Sequence, residues 1–245
     1  MDRKEALSIV YNCAKIYSKN LQDYNIMFVI ENKKSAASNT SIEFIETIYY
    51  SHNFLHLTGM EYNSKNRSIK SKYQLATEFY YNLLNGKVSY KDINYKNPFT
   101  TQLKLDILNQ LGNIEKSAKF LGNYNNTIKD MLYTEKVVGN ISYCFGFVRD
   151  SRTKYFYLPN TTIKENIKNI TDDTCNIVAI LKKEKSKHFY SRITYIKNGI
   201  DLNCLTLNKN LINLIDFGHL EFGNKNDIKN TERVNLFREK LILGT

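Results

Sequence analysis

Residues Leu132–Thr161, LYTEKVVGNISYCFGFVRDSRTKYFYLPNT, contain the point at which the hydrophobic pattern of the chain changes. Apolar residues recur mostly at helical spacing before this stretch and alternate within it, and Gly139-Asn140 is a strong turn signal. The alternation therefore predicts a meander of three strands. Their predicted bounds are Met131–Val138, Ile141–Arg149 and Lys154–Leu158.

The pattern downstream of this meander remains that of a sheet. Thr162 and Glu165 have capping-box spacing and predict one helix as far as Ile170. Asn198-Gly199 is a second hairpin signal. Further strands are predicted at Asn176–Lys183, His188–Lys197 and Ile200–Leu207. Residues Met131–Leu207 should thus form one antiparallel sheet with a single inserted helix.

Helices dominate the upstream part of the chain, apart from two predicted strands, Tyr24–Glu31 and Ile42–Tyr50. The predicted helices are Arg3–Leu21, Tyr73–Asn85, Asn97–Leu111 and the short Asn113–Leu121, ended by Gly122. Helices followed by strands indicate an α+β fold with N-terminal helices packed on a C-terminal antiparallel β-sheet. We expect one domain over residues 1–207 and a helical C-terminal extension over 208–245, with helical pieces at Leu211–Phe217 and Thr231–Leu241.

The composition favours a polyanionic partner and a reducing compartment. The net charge is +11, and lysine or arginine beside phosphate releases counterions. The abundance of Lys, Asn, Ile and Tyr would also follow from AT-rich coding, so clustering of charge is more informative than its total. Four scattered cysteines, no signal-peptide pattern and no long apolar run predict a cytoplasmic protein that does not enter a membrane.

The segment Ser51–Gly59, SHNFLHLTG, holds two of the four histidines, His52 and His56, at i, i+4 spacing. A short helix there would directly follow the predicted Ile42–Tyr50 strand and place both imidazoles on one face. The Glu of H-E-x-x-H is missing and no third ligand lies nearby, so we predict no metal and no other cofactor. A packed structural role for both histidines is the alternative.

Two segments of the chain resemble a known family. NFLHLTGM (residues 53–60) is one, and the other is residues 132–161, with Lys136, Gly139, the Gly146-Phe147 pair and Tyr-x-Pro-Asn-Thr at 157–161. They resemble the fourth of the phage-associated barnase–EndoU–colicin–RelE-like nuclease families, over about the first four-fifths of the chain. The resemblance implies a barnase/RelE-like nuclease fold, with N-terminal helices on an antiparallel sheet whose face binds RNA.

Metal-independent RNA cleavage needs a base for the 2′-OH, an acid for the leaving 5′-oxygen and cations for the phosphorane. The predicted catalytic residues are His56, Lys136, Tyr157 and Thr161. The predicted substrate-binding residues are Arg149, Asn160, Lys182, Lys183, Lys185 and Lys187. Each has a structural alternative: the cations could be surface charges or a charged hairpin tip, Tyr157 could pack on a helix, Thr161 could cap one and Asn160 could form a turn.

These observations lead to two functional hypotheses. The first is a metal-independent ribonuclease that acts on structured RNA, such as tRNA or ribosome-associated RNA, in phage–host conflict or toxin biology. The second is a non-catalytic RNA- or protein-binding module, such as a phage-encoded inhibitor of a host defence complex. The expected partners are RNA and a protein, either an antitoxin or a host defence complex.

Overall fold

The computed structural model describes residues 1–32, 40–64, 69–127, 133–198, 205–206 and 209–222. The helices within these ranges are Arg3–Tyr17 (α1), Ser51–Thr58 (α2), Lys72–Leu84 (α3), Pro98–Leu111 (α4), Ile114–Ser117 (α5) and Lys209–Ile212 (α6). The strands are Tyr24–Asn32 (β1), Thr40–Ile48 (β2), Met60–Tyr62 (β3), Ile93–Tyr95 (β4), Phe120–Tyr124 (β5), Lys136–Gly139 (β6), Cys144–Arg149 (β7), Phe156–Ile163 (β8), Thr171–Glu184 (β9), Arg192–Ile196 (β10), Leu205–Thr206 (β11) and Glu221–Phe222 (β12).

Seven strands close into a barrel in the order β1-β2-β8-β7-β6-β5-β9, and β9 pairs back onto β1. The sheet is mixed, because β2 and β8 pair in parallel through Glu46 with Phe156 and Thr47 with Tyr157. The predicted architecture, helices packed on an antiparallel sheet, is therefore wrong, although α and β elements are both present. The closing pairs join segments far apart in the chain, and no local hydrophobic pattern specifies them.

The main hydrophobic core lies between the barrel strands and the N-terminal helices. Its densest part is a group of edge-to-face aromatic rings, in which Tyr17 of α1 lies 5.2 Å from Phe54 of α2 and 5.8 Å from Tyr80 of α3, measured between ring centroids. Tyr49 follows β2 and contacts both Tyr17 and Phe147 of β7. Such pairs add to the free energy gained by burying the rings. The cluster fixes the helices against the barrel.

The helix predicted after Thr162 is not formed. Strand β8 continues to Ile163, and only a 3₁₀ turn, Ile167–Asn169, precedes β9. The Thr162 hydroxyl donates instead to the carbonyl oxygen of Leu57 at 3.3 Å, which joins β8 to α2. Because pairing of β8 with β7 satisfies the backbone of this segment, the local capping signal is overridden.

Residues 209–222 pack on the far side of β1 and β9. Leu211, Ile215 and Leu220 belong to a second core with Met27 and Val29. The parallel pairing of β12 with β10 adds a strand beyond the barrel. The predicted hairpin at 198–199 and strand at 200–207 fall largely outside the described residues, and the predicted helix at 231–241 falls wholly outside them. The domain boundary at residue 207 stays a prediction.

Helix α2 ends at Gly59, which has a left-handed φ of 73°. A Cβ atom there would lie 3.1 Å from both Lys104 Cδ and Thr101 Oγ1, so the backbone of α2 and the side chains of α4 are in close contact. Gly86 has a similar φ of 67° but no atom within 4 Å of an added Cβ. A substitution at Gly86 therefore measures the cost of the left-handed backbone alone. A substitution at Gly59 measures that cost together with the cost of crowding.

We predict that Gly86→Ala lowers the free energy of unfolding by about 1–2 kcal/mol, the cost of a left-handed residue with a Cβ atom. Gly59→Ala should lower it further, because crowding against Thr101 and Lys104 is added. Urea unfolding of both variants measures the difference. Equal losses of the free energy of unfolding would show that Thr101 and Lys104 of α4 do not crowd residue 59.

Candidate active site

Both ends of helix α2 are held by hydrogen bonds to other elements of the fold. At its start, Tyr50 N donates to Asn53 Oδ1 at 3.1 Å, and Tyr50 O accepts from the Tyr17 hydroxyl at 3.0 Å. Near its end, Leu57 O accepts from Thr162 of β8. The histidines of α2 are thus carried by a rigid element packed beside the β2–β8 seam of the barrel.

A groove of about 750 Å³ lies beside α2 and is walled by β3, the start of α3, and strands β7 and β8. Apolar side chains such as Leu55, Val148 and Leu158 contribute to its walls. The charged or hydrogen-bonding side chains that line this groove include one carboxylate, Glu61, together with His52, His56, Lys70, Lys72, Lys96 and Asn160. The groove thus brings two of the predicted site residues, His56 and Asn160, together.

The Asn160 side chain lies beside His56 and raises the pKa of the imidazole, although this effect is weaker than those that lower it. Partial burial lowers the pKa of His56 to about 4, and the charges of Lys96 and Lys104 act in the same direction. The side chain keeps contact with solvent. At neutral pH the ring is therefore neutral and can accept a proton.

Lysine side chains from separate parts of the chain lie near this imidazole or line the same groove. Lys96 lines the groove, and Lys104 of α4 lies against Gly59, just after His56. Burial and the neighbouring Lys96 lower the pKa of Lys104 to about 8. Lys70 is held by an ion pair with Glu78 at 3.0 Å. Lys96 and Lys104 were not among the predicted site residues, because each is an isolated charge in the sequence. Only folding brings them close to His56.

Three other predicted residues form a second cluster. Arg149 Nη2 donates to the Tyr157 hydroxyl at 2.6 Å, and the guanidinium carbon lies 5.0 Å from the Tyr157 ring centroid. Lys136 Nζ donates to Asn123 Oδ1 at 2.6 Å, and burial lowers the pKa of Lys136, as does Arg149 more weakly. Tyr157 is almost fully buried in the main core. None of the three is among the described residues that line the groove.

Thr161 is buried within β8, and a Cβ atom added to the facing Gly146 would collide with its methyl group. Its neighbour Asn160 faces the groove and also donates through Nδ2 to the Tyr133 carbonyl oxygen. The bond to Tyr133 fixes the orientation of the Asn160 amide, which lies beside His56. Asn160 is thus positioned to orient the imidazole, whereas Thr161 supports the strand.

The hairpin between β9 and β10 carries the four predicted lysines in different environments. Lys182 is buried in an ion pair with Glu115 at 2.9 Å, so the structure gives it a packing role. Lys183 Nζ donates to the His188 carbonyl oxygen. Lys185 Nζ donates to Tyr49 O at 2.6 Å, at the junction that leads into α2. Lys187 is exposed. The tip of the hairpin therefore approaches the strand that precedes α2.

A neutral imidazole beside several lysine side chains can accept a proton close to a bound phosphate, which is the arrangement that nuclease chemistry requires. The structure thus combines a closed seven-stranded mixed barrel with a groove that holds an imidazole and lysine side chains. The sequence model of phage-Barnase-EndoU-ColicinE5/D-RelE like nuclease 4 matches residues 9–199, and the chain belongs to this family. The family resemblance inferred from the sequence is thereby confirmed. No curated protein and no solved structure matches the chain.

In the described part of the chain, no group of three or more His, Cys, Asp or Glu side chains is placed to hold a metal ion. None of the helices there is both long enough and apolar enough to cross a bilayer.

We predict that the imidazole resonances of His56 titrate near pH 4 in an NMR titration, well below the ordinary value of 6.5. Lys96→Met should raise this pKa, because it removes a neighbouring positive charge. Lys91→Met, on an exposed turn outside the groove lining, is the matched control and should leave the titration unchanged. A wild-type midpoint at 6.5 or above would contradict the site as described.

Proposed function

We propose that this protein is a metal-independent ribonuclease that cuts structured RNA, such as tRNA or ribosome-associated RNA, with His56 as the general base. The observation that carries the proposal is the position of the neutral His56 imidazole beside Asn160 in a groove lined by lysine side chains. A neutral imidazole has one ring nitrogen that can accept a proton. Family membership independently supports nuclease activity.

The proposed reaction is an internal transesterification. His56 removes the proton of a ribose 2′-OH, the 2′-oxygen attacks the adjacent phosphorus, and the bond from phosphorus to the 5′-oxygen breaks. The leaving oxygen takes a proton from Lys104, whose pKa near 8 suits a proton donor at neutral pH. Lys96 and Lys72 contribute positive charge to the phosphorane. The products are a 2′,3′-cyclic phosphate and a 5′-hydroxyl.

This mechanism selects RNA over DNA, because only ribose supplies the internal nucleophile. The net charge of +11 favours the approach of a polyanion. The phage association of the family supports a role in phage–host conflict or as a toxin, in the cytoplasm, with an antitoxin or host defence complex as protein partner. Comparing cleavage of folded tRNA with cleavage of the same tRNA after denaturation tests the preference for structure.

A second candidate function is RNA binding without cleavage. It is favoured by the separation of Lys136 and Tyr157 from the groove, since these predicted catalytic groups are engaged in the second cluster. Under this alternative the groove would hold RNA through its lysines alone. The variants below distinguish the two functions.

We predict that His56→Ala slows RNA cleavage in EDTA by about 10²–10⁴-fold, the usual effect of removing a proton-transfer group. The thermal midpoint should stay close to wild type, because the side chain is exposed on α2. His188→Ala, an exposed histidine on the β9–β10 hairpin and outside the groove lining, is the control and should cut normally. Unchanged cleavage by His56→Ala, or no cleavage by the wild type, would favour the binding module.

The pH profile tests the assignment of base and acid. The reactive form of His56 is lost as pH falls through about 4, and that of Lys104 as pH rises through about 8, so kcat/KM should be bell-shaped with its plateau between these values. Lys104→Arg should lower the plateau and remove the alkaline fall, because a guanidinium stays protonated. Retention of that fall would assign the acid to another group.

A further inference from the structure

We propose that Tyr50, His52 and Tyr73 form a stacking site for an unpaired nucleobase of the RNA, next to the phosphate held at His56. We call these three rings the aromatic row. The inference rests on the proposed function and adds to it the form in which the substrate is bound: a nucleotide outside a base-paired helix.

The three rings lie side by side in the spatial order Tyr50, His52, Tyr73. The Tyr50 and His52 ring centroids are 5.3 Å apart with an interplanar angle of 16°, and those of His52 and Tyr73 are 4.0 Å apart at 35°. His52 and Tyr73 both line the groove that contains His56. Tyr73 ends the row and is 51% exposed, so its outer face can accept another flat ring. A base stacked there would extend the row into the groove.

The backbone that carries the row is held by hydrogen bonds. The Tyr50 carbonyl oxygen accepts from the Tyr17 hydroxyl, and the Tyr50 N–H donates to Asn53 Oδ1. Tyr73 lies in the first turn of α3, whose N-cap is Ser71. A site that is already ordered loses little conformational entropy on binding, which favours affinity.

Cations stand at the Tyr50 end of the row. The Arg152 guanidinium carbon lies 5.2 Å, and the Lys185 Nζ 4.8 Å, from the Tyr50 ring centroid. Arg152 also forms an ion pair with the buried Asp150 and remains more than half exposed. These charges can contact the phosphates that flank a stacked base. Burial, with Arg152 assisting, lowers the pKa of His52 to about 4, so the central ring is uncharged at neutral pH.

Aromatic rings beside cations form the arrangement by which proteins bind single-stranded RNA. Bases within an RNA duplex have both faces covered by their neighbours, so only a loop, bulge or extruded base can reach Tyr73. The row would thus select an unpaired nucleotide within a structured RNA. Lys185 connects it to the β9–β10 hairpin through its bond to Tyr49.

The absence of tryptophan from the chain provides a direct reporter. In a His56→Ala background, which prevents cleavage, Tyr73→Trp places a single indole at the end of the row. Single-stranded hexa-adenylate should quench its fluorescence in EDTA, whereas an abasic ribose–phosphate oligomer of equal length and an RNA duplex should not. Tyr81→Trp, two turns along α3 and outside the groove lining, is the matched control and should not respond.

Affinity measurements complete the test. Tyr73→Ala should weaken binding of hexa-adenylate by about 5–150-fold, the effect of one base–aromatic stack of about 1–3 kcal/mol, while Tyr73→Phe should bind as wild type. Equal quenching by the abasic oligomer, or equal affinity of Tyr73→Ala, would overturn the stacking site and leave phosphate binding only. Quenching specific to bases by a protein whose wild type cuts no RNA would keep the site and reject the nuclease.

Discussion

The parallel pairing of β2 with β8 is the interaction on which the candidate site depends. It consists of two residue pairs, yet it closes the seven-stranded barrel. Strand β2 leads through Tyr49 and Tyr50 into α2, and β8 carries Asn160, so closing this seam places His56 beside Asn160. The bond from Thr162 to Leu57 strengthens the same junction. Loss of the seam would separate the two halves of the site.

Several predicted site residues have structural contacts away from the groove. Arg149 bonds to Tyr157, and the buried Lys182 pairs with Glu115, which satisfies a charge that would be costly to bury alone. At the seam, the groove leaves His56 in contact with solvent and surrounded by positive charge. One consequence is an imidazole whose pKa, lowered to about 4, keeps it neutral across the physiological range, close to Lys104, whose pKa is lowered to about 8.

Helix-capping residues in the sequence correctly predicted where some of the helices begin. Asp2 caps α1 by accepting from Lys4 N at 2.7 Å, and Asn97 with Pro98 begins α4 as expected. The same local rules failed at Gly122, which was predicted to end a helix but lies inside β5, where an added Cβ atom would be 2.7 Å from Thr171. Barrel closure could not be predicted, because strand pairing across long separations leaves no periodic pattern. Lys96 and Lys104 were not predicted either, because the contacts that bring them close to His56 join residues far apart in the sequence.

The central claim is that a histidine at the barrel seam activates a ribose 2′-OH without metal. Mass spectrometry of the products from one defined RNA in EDTA tests it most directly, with a second copy that carries a single 2′-deoxy nucleotide at the cut site. We predict a 2′,3′-cyclic phosphate and a 5′-hydroxyl from the first RNA and no cut at the substituted position in the second. Products with 5′-phosphate ends, or a cut beside the deoxynucleotide, would contradict this account.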